Sequence, residues 1–140
     1  MKSDCIFCKI ANGDIKADVI EEDEDTVTFL DASPVFPGHL LIVPRRHFET
    51  LADLPDNMLA PLFLQARRAT QAVVGGLGAE GSFMAVNNKI SQTVPHLHVH
   101  VIPRRKGDGM KGFFWPRLNY TDDSHRKEVV EKLKQAFQAL

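Results

Sequence analysis

The chain has 140 residues, 44% hydrophobic and 25% charged, with a formal net charge of −1. That length suits one globular domain able to bury about two thirds of its unfolded surface. The near-neutral charge gives no global field for nucleic acid, and there is neither a leader-like apolar segment nor an apolar run of membrane-spanning length. The expectation is a cytoplasmic protein with no membrane and no nucleic-acid partner.

In chain order, Cys5-Ile6-Phe7-Cys8 comes first. A redox Cys-x-x-Cys pair wants a preceding strand, which is missing, so metal ligation is the favoured use; buried small hydrophobes are the alternative. Asn12-Gly13-Asp14 reads as a turn. Val19-Ile20-Glu21-Glu22 and Thr26-Val27-Thr28-Phe29-Leu30 read as strands around the acidic turn Asp23-Glu24-Asp25. Pro34, Pro37 and Gly38 form a loop leading to His39, and Leu40-Leu41-Ile42-Val43 is a strand stopped by Pro44. Arg45 and Arg46 are either a phosphate clamp or, as adjacent basic residues more often are, a solvated edge.

Leu59, Leu62, Phe63, Ala66, Ala69 and Val73 recur at helical spacing. They predict a helix from about Pro55 to Val74, with Asp53 a possible cap, Pro61 marking a kink or a later start, and Gly75-Gly76 and Gly78 as the stop. Phe83-Met84-Ala85-Val86 is a strand ending at Asn87-Asn88. Then comes Val94-Pro95-His96-Leu97-His98-Val99-His100-Val101-Ile102-Pro103, whose strict alternation predicts a strand over 94–103. Residues i, i+2 and i+4 of a strand share a face. His96, His98 and His100 therefore point one way, and Leu97, Val99 and Val101 point into a core. Beyond lie a basic glycine-containing stretch, the aromatic Phe113-Phe114-Trp115, and a helix from about Asp123 to Ala139. Strands with few helices argue an α+β fold with an antiparallel sheet.

Two thiolates need two more ligands for a closed zinc site. Cys5, Cys8, His47 and one triad histidine supply them; His96, at the end of the row, leaves the other two free for chemistry. Such a site is structural, tying the N-terminal segment to the sheet. An unprotonated imidazole is largely available near neutral pH and attacks phosphorus well. His98, flanked by His96 and His100, is best placed as nucleophile. His100 can stabilise developing charge, and His39 can reach the same face. The rival is a catalytic metal on all three strand histidines. They span about 13 Å at about 3.3 Å per residue, too far for all three to hold one ion, though two of them could with His39.

His96-Leu97-His98-Val99-His100-Val101-Ile102 resembles the motif of the histidine triad (HIT) family. Cys5-Ile6-Phe7-Cys8-Lys9-Ile10, Phe29-Leu30-Asp31, Pro37-Gly38-His39, Ile42-Val43-Pro44-Arg45-Arg46-His47 and Val86-Asn87 are similar to further landmarks of that family, in order. The resemblance covers about residues 4 to 105. It implies a homodimeric HIT-like fold: a five-stranded antiparallel sheet with one long helix, here followed by a C-terminal helix. Residues 1–105 would be the HIT domain, and 106–140 a tail packed on it.

The resemblance also implies cleavage of a purine nucleotide at its α-phosphate through a nucleotidyl-histidine. His98 would be the nucleophile, supported by His100 and His39. Asp31 would take the ribose; Ile6, Phe7, Ile10, Ile15, Phe29 and Leu41 would wall the base. Asn87, Gln92 and Thr93 would lie on the phosphate or leaving-group side. Zinc-binding members use the positions of Cys5, Cys8, His47 and His96, and no organic cofactor is implied. Lys89-Ile90-Ser91-Gln92 departs from the family's longer, glycine-containing loop. Asn87 resembles the nucleoside phosphoramidase branch. Gln92-Thr93-Val94 and Pro103-Arg104-Arg105-Lys106-Gly107-Asp108 resemble the dinucleoside polyphosphate hydrolases, the favoured reading. A nucleotide-binding interaction module with vestigial catalysis is the alternative class; the intact triad speaks against it.

Overall fold

Asp23 starts the sheet. Its Oδ1 accepts the backbone N–H groups of Asp25 (2.9 Å) and Thr26 (2.7 Å), which turns the chain between β1 (Val19–Glu22) and β2 (Thr26–Leu30). β3 (Leu40–Pro44), β4 (Gly81–Ala85) and β5 (Val99–Arg104) complete one five-stranded antiparallel sheet in the order β1-β2-β3-β5-β4. Among the described residues the helices are α1 (Ile6–Asn12), α2 (Asp56–Leu77) and α3 (Asp123–Gln138). The computed structural model describes residues 2–111 and 118–140. It forms two units, Met1–Asp108 and Gly109–Leu140. Phe113, Phe114 and Trp115 lie outside the described residues. In the second unit, α3 is capped by Asp122, which accepts the N–H of His125 at 2.7 Å.

The middle strands of the sheet, β2, β3 and β5, are buried on both faces. Leu40, Ile42, Leu97, Val99 and Val101 pack against Leu62, Ala66, Ala69 and Val73 of α2. Val27, Phe29, Leu41 and Val43 meet Phe7, Cys8 and Ala11 of α1 on the other side. The alternation of the triad is therefore the division between two cores. Its apolar residues face α2, and its histidines face α1.

Four local expectations are corrected. The triad row is not all strand. The ladder begins at Val99, because Pro95 lacks a donor, His96 N–H turns back to Val94 O (2.8 Å) and Leu97 N–H bonds Phe48 O (2.7 Å). α2 passes through Gly75-Gly76 and runs to Leu77, beyond Val74; of the three glycines read as its stop, Gly78, with φ +67°, is the one that ends it. Leu77 lies over Gly38 so closely that a Cβ at Gly38 (φ +95°) would collide with Leu77 Cδ1; this packing holds the last turn. Pro61 sits in the second turn of α2 without ending it. Asp53 caps not α2 but the 3₁₀ turn Leu51–Asp53, accepting from Thr50 N–H (2.9 Å) and Thr50 Oγ1 (2.7 Å). α1, unforeseen from the sequence, is short. Cys5 begins it, accepting the Cys8 N–H on Sγ, and Gly13 (φ +81°) ends it.

Candidate functional site

α1 carries Cys5 and Cys8 three residues apart at its first turn, so both thiols face the same neighbours. Cys5 Sγ lies 3.3 Å from His96 Nδ1. Cys8 Sγ lies 3.5 Å from the same nitrogen and 3.4 Å from His47 Nδ1. All four ligand atoms lie within 4.8 Å of one another. His96 Nε2–H donates to the Pro44 carbonyl at 2.8 Å, so in the neutral ring Nδ1 is the bare nitrogen. Burial pushes His96 down to about 4, against the Pro44 hydrogen bond, and burial likewise lowers His47. Burial raises the Cys8 thiol. Two thiols and two imidazole nitrogens, that of His96 bare with its other nitrogen tied to a carbonyl, fit tetrahedral zinc.

The second histidine cluster differs. His98 Nδ1–H donates to the His96 carbonyl at 2.7 Å, which leaves Nε2 with a free lone pair. The Val35 N–H donates to His39 Nδ1 at 3.1 Å, so the His39 proton sits on Nε2. That Nε2–H donates to His100 Nδ1 at 2.9 Å. His100 must then carry its own proton on Nε2. One row of residues thus presents a bare nitrogen at His98 beside a donor at His100, with ring centroids 4.8 Å apart. Asp31 Oδ2 is 3.7 Å from His39 Nε2. Asp31, His39 and His100 also lie within metal-holding distance of one another. The Val35 amide works against that use, since it keeps a proton on the nitrogen a metal would need. Burial pushes His100 down to about 4, helped by His98 and His39 and opposed by Asp31. Burial also lowers His39, again against Asp31.

A cavity of about 450 Å³ opens beside these rings. Its walls include Ile6, Phe7, Ile10, Ile15, Phe29 and Leu41, with Asp31, Thr93, His98 and His100 as the polar members expected from the sequence. Lys16, Ala17, Asp18, Ser33 and Val94 line it too and were not anticipated. The Leu30 N–H pairs with the Asp18 carbonyl at 3.0 Å, which brings 16–18 alongside Asp31. No sequence period marks that pairing. His39 stands behind His100 rather than in the wall. Asn87 and Gln92 are not among the lining residues. Asn87 Nδ2 donates to Ser91 O (3.3 Å). Gln92 accepts the Lys89 N–H (2.9 Å) and donates to Glu49 O (2.6 Å). Gln92 thereby holds a glycine-free loop in which Lys89 and Ser91 take positive φ. Arg45 gives its guanidinium to Asp23 O, Ala11 O and Glu22, joining the end of α1 to the β1–β2 turn. Arg46 stacks on Phe48, 5.3 Å from the ring centroid.

A model of the HIT domain matches residues 12–107. The chain belongs to the HIT family. It is 41% identical over 127 residues to an uncharacterized HIT-like protein of Methanocaldococcus jannaschii, covering 89% of this chain and 98% of that one. It is 31% identical over 135 residues to adenosine 5′-monophosphoramidase hnt1 of Schizosaccharomyces pombe, covering 93% and 98%. Adenylylsulfatase HINT3 of Arabidopsis thaliana is 33% identical over 110 residues, covering 77% of this chain but 56% of that one. Among solved structures, a HIT family protein from Bacillus anthracis superposes with a TM-score of 0.84 at 29% identity, covering 97% and 99%. A zinc-bound histidine triad family protein from Mycobacterium smegmatis superposes with a TM-score of 0.73 at 35% identity, covering 95% and 97%. Cys5 and Cys8 precede the residues matched by the HIT domain, so half of the thiol–imidazole cluster stands outside it.

Proposed function

We propose that this HIT chain hydrolyses purine nucleotides at the α-phosphate through a covalent nucleotidyl-His98. The observation that carries the reading is the His98 Nδ1–H bond to the His96 carbonyl, which frees Nε2 at the wall of the cavity. The base lies among Ile6, Phe7, Ile10, Ile15, Phe29 and Leu41, and the ribose hydroxyls reach Asp31. His98 Nε2 bonds to the α-phosphorus, and the bond to the leaving group breaks with its electron pair on the leaving group. Water then attacks phosphorus, returns His98 and releases the nucleoside monophosphate. His100 Nε2–H donates to a phosphoryl oxygen as charge develops there. A cavity of about 450 Å³ suits one nucleotide, so the leaving group extends past Thr93.

Cys5, Cys8, His47 and His96 would hold zinc, which supplies a cross-link between the start of α1, the segment after β3 and the triad. We also propose a homodimer: β4 is the last strand in the sheet order, and Met84 on it is 40% exposed.

Gln92-Thr93-Val94 and the Pro103–Asp108 stretch favour dinucleoside polyphosphates as substrates. The fission-yeast relative's name favours a phosphoramidate instead. A panel of diadenosine polyphosphates, adenosine 5′-phosphoramidate and adenylyl sulfate, assayed for released AMP, separates these. Release of AMP from at least one, and none with His98→Ala, supports the reading. No AMP from any of them overturns it.

A further inference from the structure

The Asp31 carboxylate meets two environments. Its Oδ1 accepts the Ser33 N–H at 2.8 Å, which fixes the side chain. Its Oδ2 is then turned toward His39 Nε2, 3.7 Å away, at the far end of the pair His39–His100. His39 is 3% exposed and Asp31 22%, so this charge acts where water screens it poorly. Three imidazoles crowd the same place: the ring centroids of His98 and His100 are 4.8 Å apart, and those of His39 and His100 are 5.2 Å apart.

When His98 gives its lone pair to phosphorus while keeping its Nδ1 proton, its ring becomes cationic. The attached phosphoryl oxygen offsets part of that charge; the buried His39 and half-buried His100 beside the ring offset none of it, so an anion facing the cluster stabilises the cation further. Asp31, His39 and His100 interact there with His98, which also faces His96, and Asp31 is the carboxylate among them.

We propose that Asp31 is a positioning residue for the reaction as well as a ribose contact: its carboxylate offsets the positive charge that builds on the histidine cluster when nucleotidyl-His98 forms. Burial and the neighbouring rings weaken proton binding at His39 and His100, and Asp31 opposes them at both. The substrate thus meets Asp31 twice, once through the sugar and once through the field at phosphorus. This inference rests on the hydrolase reading above.

A substrate without ribose hydroxyls separates the two roles. Wild type, Asp31→Asn and Asp31→Glu are compared on the same adenosine phosphoramidate or diadenosine polyphosphate and on its 2′,3′-dideoxy analogue, with kcat and KM measured separately. The expected result is a kcat loss of about tenfold or more for Asp31→Asn on both substrates. Asp31→Glu, which keeps the charge, recovers part of kcat on the dideoxy analogue. If Asp31→Asn loses activity only on the ribose substrate, through KM, the inference is overturned while the hydrolase reading stands. If wild type turns over neither substrate, both fall. Asp31→Glu guards against a fold defect in Asp31→Asn: equal kcat for the two variants on the dideoxy analogue also overturns the inference.

Discussion

His39 Nε2 stands 2.9 Å from His100 Nδ1, and the direction of that hydrogen bond is set by the Val35 amide on the other side of the His39 ring. A backbone N–H cannot be deprotonated near neutral pH, so it dictates which nitrogen of His39, and then of His100, carries hydrogen. His39→Ala removes the donor, and His100 Nδ1 becomes free to take the proton that Nε2 needs. We expect kcat to fall on the order of 10²-fold with KM little changed. Steady-state kinetics on the best panel substrate checks this, and an unchanged kcat would remove His39 from the account.

The thiol–imidazole cluster predicts a structural response to metal removal. Cys5→Ser with Cys8→Ser, or a strong chelator, should lower the melting temperature and loosen α1, and activity should fall in step with folded fraction. Thermal melts run beside zinc analysis and turnover test it. Loss of activity at full fold would instead place the ion in the chemistry.

Acid should unfold the chain. An unfolded chain binds a proton at an ordinary histidine near 6.5, whereas folded His96 and His100 bind one only near 4. Between those values the unfolded state holds more protons. Stability is therefore complete above about pH 6.5 and is lost as pH falls toward 4. Asp23 adds a further loss only below about pH 3.8: burial would raise it, but the amides of Asp25 and Thr26, the Thr26 hydroxyl and the Gln65 side chain hold it below its usual range. Denaturant midpoints at pH 7.5 and pH 4.5 should differ accordingly; equal midpoints would contradict the burial argument.

Leu62 is wholly buried between α2 and the sheet. Leu62→Ala should cost about 2–5 kcal/mol through lost contacts and the cavity left behind. Chemical denaturation measures it, and a cost below about 1 kcal/mol would mean the site collapses freely.

Much of this was legible in the sequence where a period carries the information. The alternation from His96 to Val101 gave the correct division into two faces, because one residue of slip would have turned imidazoles into the α2 core. The ligand set Cys5, Cys8, His47 and His96 was readable from residue chemistry, and the four side chains meet. What was not legible depends on contacts remote in sequence. α1 is only seven residues long and is started by a cysteine, a weak cap signal. α2 passes Gly75-Gly76 before stopping at Gly78, and Leu77 in that extra stretch packs on Gly38, 39 positions earlier. Val94–His98 leaves the ladder because Phe48 takes the Leu97 amide. The Gln92 amide is engaged by Lys89 and by Glu49, 43 positions earlier.

The central claim is that His98 Nε2 bonds covalently to phosphorus. Its most direct measurement is mass spectrometry of the acid-free, rapidly quenched protein after mixing with a slowly turned-over nucleotide, followed by peptide mapping. The account predicts one added nucleoside monophosphate per chain, located on His98 and absent in His98→Ala, whose turnover falls about 10³-fold or more. An adduct on another residue, or full turnover by His98→Ala, would contradict it.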